Sequence, residues 1–299
     1  MRETAKGLFY VVLAQVIWGL MPVYWKYTTF VHSFALIAHR IIGSFLFMIL
    51  LLVISGKWNL FIARLKESAQ LHYSLPAAVS VFLNWSIYVY AIQKGEILQT
   101  TLGYYICPLI LAWIGWTFFD EKPRKAQYIA AALSSIGVVL QTISIGKFPF
   151  YAFAVALTFA VYSAIKKKTP YDSVFSMGYE TLILLPLASL ILLWARAGNW
   201  ELVQEVSTAR YFILSLAGPL TVLPLLFHAQ GIRSTALSVS AFIQYLSPTM
   251  AMMLGIFVYG EPFDIERFVA FSFSWAALVI FAFDQWKYMK HLQHPHEDE

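Results

Sequence analysis

Residues 102–121 read LGYYICPLILAWIGWTFFDE and residues 242–261 read FIQYLSPTMAMMLGIFVYGE. Each carries a Tyr-x-x-Pro core inside an apolar run and ends on a glutamate thirteen residues after its proline: Tyr105, Pro108 and Glu121, then Tyr245, Pro248 and Glu261. The segments are offset by 140 residues, and the same offset pairs Arg40 with Glu180. Both runs are long enough to cross about 30 Å of hydrocarbon as helices. The fold therefore reads as a duplicated membrane bundle.

Working outward, apolar stretches run 8–25, 34–55, 73–93, 100–119, 126–143, 148–165, 177–195, 211–228, 238–259 and 268–286, ten in all. A helix is the structure that satisfies its own backbone polar groups without water. The predicted class is an all-α integral membrane protein with ten transmembrane helices. Five spans fall in each half, 1–145 and 146–299, and five is odd, so the second half enters the membrane from the opposite face. That is the pattern of an inverted-topology repeat, which can exchange inward-open and outward-open shapes.

Composition agrees with this reading. Of 299 residues 60% are hydrophobic and 12% charged, against roughly 25% charged in soluble domains, which excludes a soluble enzyme and a disordered chain. Aromatics at 17% suit two membrane interfaces. The first stretch follows Arg2 and Lys6 but has no small-residue cleavage pattern, so it reads as an anchor.

Of the 21 Lys and Arg, 14 flank the spans on the side of the N-terminus, six lie on the other side, and Arg40 sits within a span. Basic residues are retained in the cytoplasm, so both termini are expected there. No basic stripe with interleaved aromatics points to nucleic acid. Cys107 is the one cysteine, which excludes an intramolecular disulfide. The tail holds His294 and His296, read as solvated rather than as a metal site.

With LGYYICP at 102–108, FIQYLSP at 242–248, the Phe/Tyr-x-Glu stops at Glu121 and Glu261, His39-Arg40 and Glu180-Thr181, the chain resembles the RarD family. That family belongs to the EamA-type branch of the drug/metabolite transporter superfamily. The resemblance spans nearly the whole chain. It implies a bacterial cytoplasmic-membrane permease of ten helices in two inverted five-helix repeats, with family names tied to chloramphenicol sensitivity and no single substrate.

The substrate-pathway candidates follow from the chemistry of polar groups at depth. Pro108 and Pro248 each remove a helix hydrogen bond and displace the carbonyl four residues back, those of Tyr104 and Gln244, and their symmetric placement points to a polar cavity. Arg40 and Glu180 are the charges read as lying well inside spans, where a charge costs roughly 2.5 to 3.5 kcal/mol on insertion scales. Inversion separates the two by ~15 Å in depth at 1.5 Å per residue, so two sites are expected rather than one salt bridge. Arg40 suits an anionic or carboxylate group; Glu180 suits a cation or a proton. His39 reads as a packing residue. Gln15, Trp18, Asn84, Tyr88, Tyr104, Tyr105, Gln244 and Tyr245 complete the set, as amides and aromatic rings that orient a flat organic solute. The competing role for the amides is interhelical hydrogen bonding.

Ala126, Ala130, Ser134 and Gly137 in the fifth span, and Ala270, Ser274 and Ala277 in the tenth, form small-residue stripes. They read as scaffold or homodimer helices. No phosphate-binding loop, metalloprotease helix or nucleophile motif occurs, so no cofactor and no enzyme is expected. A channel would need a continuous polar pore. The leading reading is a secondary transporter for a small organic solute.

Overall fold

The structure, a computed structural model, describes residues 2–65, 67–94, 96–199, 202, 207–260 and 265–293. Glu261, which closes the second motif, and His294 and His296 of the tail lie outside these residues. The described chain forms, in order, α1 (Arg2–Lys26), α2 (Ser33–Ile54), α3 (Trp58–Ala63), α4 (Ser68–Gln93), α5 (Ile97–Phe118), α6 (Lys125–Ile145), α7 (Phe150–Lys168), α8 (Ser173–Ala197), α9 (Thr208–Ser215), α10 (Ala217–Ser234), α11 (Leu237–Ile243), α12 (Leu246–Phe257) and α13 (Ile265–Gln293). The β pairing among the described residues is a single bridge between Val31 and Leu202.

Ten of these segments are long and apolar enough to span a bilayer, and they match the ten apolar stretches in order. α9 and α10 form one span, α11 and α12 another, and α3 is too short to cross. Side chains such as Leu46, Leu50, Leu190, Leu193 and Val279 are exposed on the outside of the bundle. An apolar exterior of this extent is stable only against lipid.

Local signals set the helix ends. His32 accepts from the Phe34 N–H to start α2, and Asp172 accepts from the Val174 N–H to start α8. The turn after α5 needs a left-handed residue at Asp120 (φ 53°), and the turn after α12 needs one at Gly260 (φ 65°). These positions are 140 residues apart.

Lipid gives helices little apolar drive to associate, so close approach and internal hydrogen bonds decide the packing. α1 packs on α10 and α12, α7 on α4 and α5, α2 on α8, α6 on α13, and α5 on α11. Under the 140-residue offset, α1/α10 corresponds to α7/α4 and α1/α12 to α7/α5, while the other three pairings map onto themselves. At the crossing of α2 and α10 two glycines meet, and a Cβ on Gly218 would lie 2.2 Å from the Gly43 carbonyl carbon. Any side chain there would hold the helices apart.

The small-residue stripes of α6 and α13 face each other. Ala130, Ser134, Gly137, Ala270, Ser274 and Ala277 are buried, and a Cβ on Gly137 would lie 2.8 Å from the Ala270 carbonyl oxygen. The stripes therefore serve the packing of α6 on α13 within one chain.

Candidate functional site

Alternation of the spans places the start of α1 and the end of α13 at one face, here the terminal face. Two polar clusters lie toward opposite ends of the bundle, with the Tyr-x-x-Pro cores between them.

Toward the face opposite the termini, Arg40 lies seven residues into α2. Its Nε donates to Thr221 Oγ1 on α10 at 3.1 Å. Its guanidinium carbon lies 4.7 Å from the ring centres of both Trp25 and Trp85. The hydroxyls of Tyr24, Tyr88 and Tyr104 are its electrostatic neighbours. The Tyr88 and Tyr104 rings are 6.1 Å apart, and Tyr104 is 46% exposed although it sits within α5 beside Arg40. A phenol exposed at mid-helix next to a half-buried guanidinium means that the bundle is not packed solid at this end. Among the described residues no carboxylate lies within ion-pair distance of Arg40.

The second cluster lies toward the terminal face. Lys166 Nζ donates to Glu180 Oε1 at 2.6 Å and to Ser176 Oγ at 2.6 Å, and the Ser176 hydroxyl donates to the same carboxylate at 2.8 Å. The Tyr162 hydroxyl donates to Glu180 Oε2 at 3.3 Å. Both charged side chains are 2% exposed. Next to them His228 is wholly buried, with Nε2 3.0 Å from Ser163 Oγ and its ring against Trp18 and Phe159. The ion pair joins α7 to α8 through their side chains, and Glu180 also lines a small cavity with Ser44, Trp85 and Thr181. Arg40 and Glu180 therefore occupy separate sites and do not pair.

Lys166 corrects the sequence reading, which took Lys166 to Lys168 as flanking charges. Rotation about α7 turns Lys166 inward, while Lys167 donates to the Ile232 and Thr235 carbonyls. Three consecutive lysines give no sign of which will be buried. Thr221, Trp25, Trp85, Tyr162, Ser176 and His228 were also missed, because each is an ordinary residue of an apolar span until tertiary packing selects it.

Between the clusters, α5 meets α11 and α12. Tyr105 and Tyr245 are buried with ring centres 5.9 Å apart, and the Tyr245 hydroxyl donates to the Tyr105 carbonyl at 3.2 Å. The prolines behave differently from each other and from expectation. α5 continues through Pro108, whereas the second segment breaks at Gln244–Tyr245. Ser247 N–H donates to the Gln244 carbonyl across that break, so the carbonyl expected to line a cavity is satisfied within its own turn. Both prolines are buried, in the seam between the halves.

The remaining candidates divide. Gln15 and Gln244 are buried with Nε2 lacking a partner among the described residues, and Cys107 Sγ lies 3.6 Å from Gln244 Oε1. Trp18 packs on Phe159 and His228 above the second cluster. Asn84 donates to the Val155 carbonyl and to Thr158 Oγ1, so its amide joins α4 to α7 as an interhelical clamp. His39 also has a partner.

Glu121 has a role across the repeats. Its carboxylate accepts from the Leu237 and Ser238 N–H groups and from the Ser238 hydroxyl. The N-cap of α11 is Ala236, which has no capping group, so a glutamate from the first half caps a helix of the second.

Comparison with known proteins agrees with this architecture. The EamA-like transporter family matches residues 5–143 and, a second time, residues 147–283. The uncharacterized transporter YojE of Bacillus subtilis is 34% identical over 96% of this chain and 97% of its own. Protein RarD of Salmonella typhimurium is 32% identical over 95% of this chain and 96% of its own. The chloramphenicol-sensitive protein RarD of Pseudomonas aeruginosa is 26% identical over 95% and 96%. A solved crystal structure superposes with a TM-score of 0.71 over 94% of this chain and 98% of its own, at 16% identity, which speaks to fold alone.

Proposed function

The chain belongs to the EamA-like transporter family, in its RarD branch, and from that premise we propose that it is a secondary transporter carrying a small organic solute across the bacterial cytoplasmic membrane by alternating access. Both termini lie in the cytoplasm on this reading, and residues 1–145 and 146–299 are antiparallel repeats. The double family match, the self-mapping helix contacts and the equivalent left-handed turns at Asp120 and Gly260 support the duplication.

The observation that carries the mechanism is the contrast between positions related by the repeat. Arg40 lies beside a vestibule reached at Tyr104, while Glu180, its counterpart, is buried and held by Lys166, Ser176 and Tyr162. Two halves of similar sequence in opposite orientation differ little in energy when they trade shapes. The open side faces the exterior, and the Lys166–Glu180 cluster closes the cytoplasmic side. A solute entering beside Tyr88 and Tyr104 meets the Tyr105–Tyr245 seam. Rocking of the halves at that seam then opens the second cluster and closes the first.

Flux in proteoliposomes tests this. A thermal-shift screen first selects a solute from amino acids, nucleoside-like metabolites and amphenicol drugs. Saturable uptake of that solute, accelerated by solute on the far side, is expected. A steady ionic current without such acceleration would indicate a channel and overturn the reading.

A further inference from the structure

The two polar clusters are chemically unequal, and the inequality specifies the cargo. At the cytoplasmic cluster the chain supplies both signs of charge, Lys166 and Glu180, and satisfies them with Ser176 and Tyr162. Shifted by 140 residues, the corresponding positions are Lys26 and Arg40. Both are cations. Lys26 lies over the Tyr259 ring at 3.8 Å, and Arg40 over Trp25 and Trp85 with, among the described residues, only its Nε in a side-chain hydrogen bond, to Thr221. Aromatic faces and one hydroxyl stabilise a guanidinium but do not neutralise it. The in-plane N–H groups of Arg40 suit a planar oxyanion held by two parallel hydrogen bonds.

We infer that the vestibule binds a net-anionic organic solute, a carboxylate on a flat apolar body, whose charged group supplies at Arg40 the anion that Glu180 supplies at its counterpart. This deepens the transporter reading and rests on it for the route, though not for the binding itself. The body of the solute lies along Tyr88 and Tyr104, whose rings and hydroxyls offer stacking and weak orientation. Among the described residues the titratable neighbours that Arg40 feels are Tyr104, Tyr24 and Tyr88, with no carboxylate to take an ammonium. A zwitterion or an amine is therefore disfavoured against the same ring bearing only a carboxylate.

The test uses the full-length purified protein in a neutral detergent with four ring-matched probes: benzoate, phenylalanine, phenethylamine and benzyl alcohol. Benzoate is expected to raise the melting temperature in a saturable way, and the other three to bind at least ten times more weakly. Arg40→Gln should abolish the benzoate shift. Arg40→Lys, which keeps the charge and loses the fork, should weaken it about tenfold and serves if the glutamine variant does not fold. Inorganic phosphate and phosphatidylglycerol are run in parallel, and a saturable Arg40-dependent shift with either in place of benzoate would overturn the carboxylate assignment. So would phenylalanine or phenethylamine binding as well as benzoate, no benzoate shift at all, or a benzoate shift unchanged in both Arg40 variants. If phenylalanine exchanges across proteoliposomes while benzoate does not bind, the anion inference fails and the transporter reading stands. Arg40-dependent benzoate binding with no flux of any solute would do the reverse.

Discussion

The Tyr245 hydroxyl donates to the Tyr105 carbonyl at 3.2 Å, so the equivalent tyrosines of the two motifs are joined at the centre of the bundle. The reciprocal bond is not made. The Tyr105 hydroxyl is buried and has no partner among the described residues. A true two-fold would form both bonds or neither, so the seam between the two motifs is asymmetric.

That asymmetry gives a prediction. Removing a hydroxyl that makes a buried hydrogen bond costs about 0.5–1.5 kcal/mol, whereas removing one that is buried and unsatisfied is near neutral or stabilising. Tyr245→Phe should therefore lower stability by about 1 kcal/mol, while Tyr105→Phe leaves it unchanged or raises it. Unfolding of the two variants in the same detergent reads the difference directly. Equal losses would mean that both hydroxyls are bonded.

Glu121→Ala should cost about 1–3 kcal/mol, the penalty for leaving buried backbone donors without partners. The donors are the N–H groups of Leu237 and Ser238, both in buried residues, and Ala236 cannot replace the lost cap. Glu121→Gln keeps one acceptor and should fall between the two. Amide exchange at Leu237 and Ser238 should accelerate in both variants without a matching change in α4. Uniform acceleration over all helices would argue for general destabilisation instead.

The spans were legible because a run of about 20 apolar residues has few alternatives in water or lipid. The repeat was legible because Tyr-x-x-Pro followed by a distant Glu is too particular to recur in order. The helix break at Gln244–Tyr245 was not, since Pro108 in the matching position leaves α5 continuous. Proline frees a carbonyl in either case, and the local packing decides whether the chain bends or breaks. Arg40 stood out because a lone charge in an apolar run is costly wherever it faces. Lys166 did not, because Lys167 and Lys168 beside it are indistinguishable until packing brings the Lys166 ammonium to Glu180 and Ser176 of α8. Asn84 shows the opposite limit: an amide at mid-depth has the same appearance whether it binds a solute or clamps a neighbouring helix.

Glu96, in the connection between α4 and α5, is held below the ordinary carboxylate range by the hydrogen bond from the Lys147 ammonium, with a further one from the Gln99 amide. A carboxyl lowered in the folded state adds stability that is present above its unfolded pKa, about 4.3, and is lost as pH falls through the lowered folded value. The melting temperatures of wild type and Glu96→Gln should differ at pH 6, and the gap should shrink as pH falls below about 4.3. A gap that stays constant over this range would remove the Glu96–Lys147 pair as its source.

The Lys166–Glu180 pair permits a sharper test, because burial makes the two single substitutions and the double one behave differently. Each side chain is 2% exposed and the carboxylate accepts from three donors, Lys166, Ser176 and Tyr162. Removing one partner strands a charge out of water, which costs about 3–5 kcal/mol, while replacing both with apolar groups of similar size is often neutral or stabilising. Glu180→Leu and Lys166→Met should each be strongly destabilised, and the double variant should recover most of that loss. If the pair is also the closure that must open in each transport cycle, the double variant will fold but hold a different balance of shapes. A cysteine at Ser163, behind the pair, should then become reactive toward a cytoplasmic thiol reagent in the double variant while staying protected when the pair is intact. Recovery of stability with no change in that reactivity would leave the pair as scaffold alone.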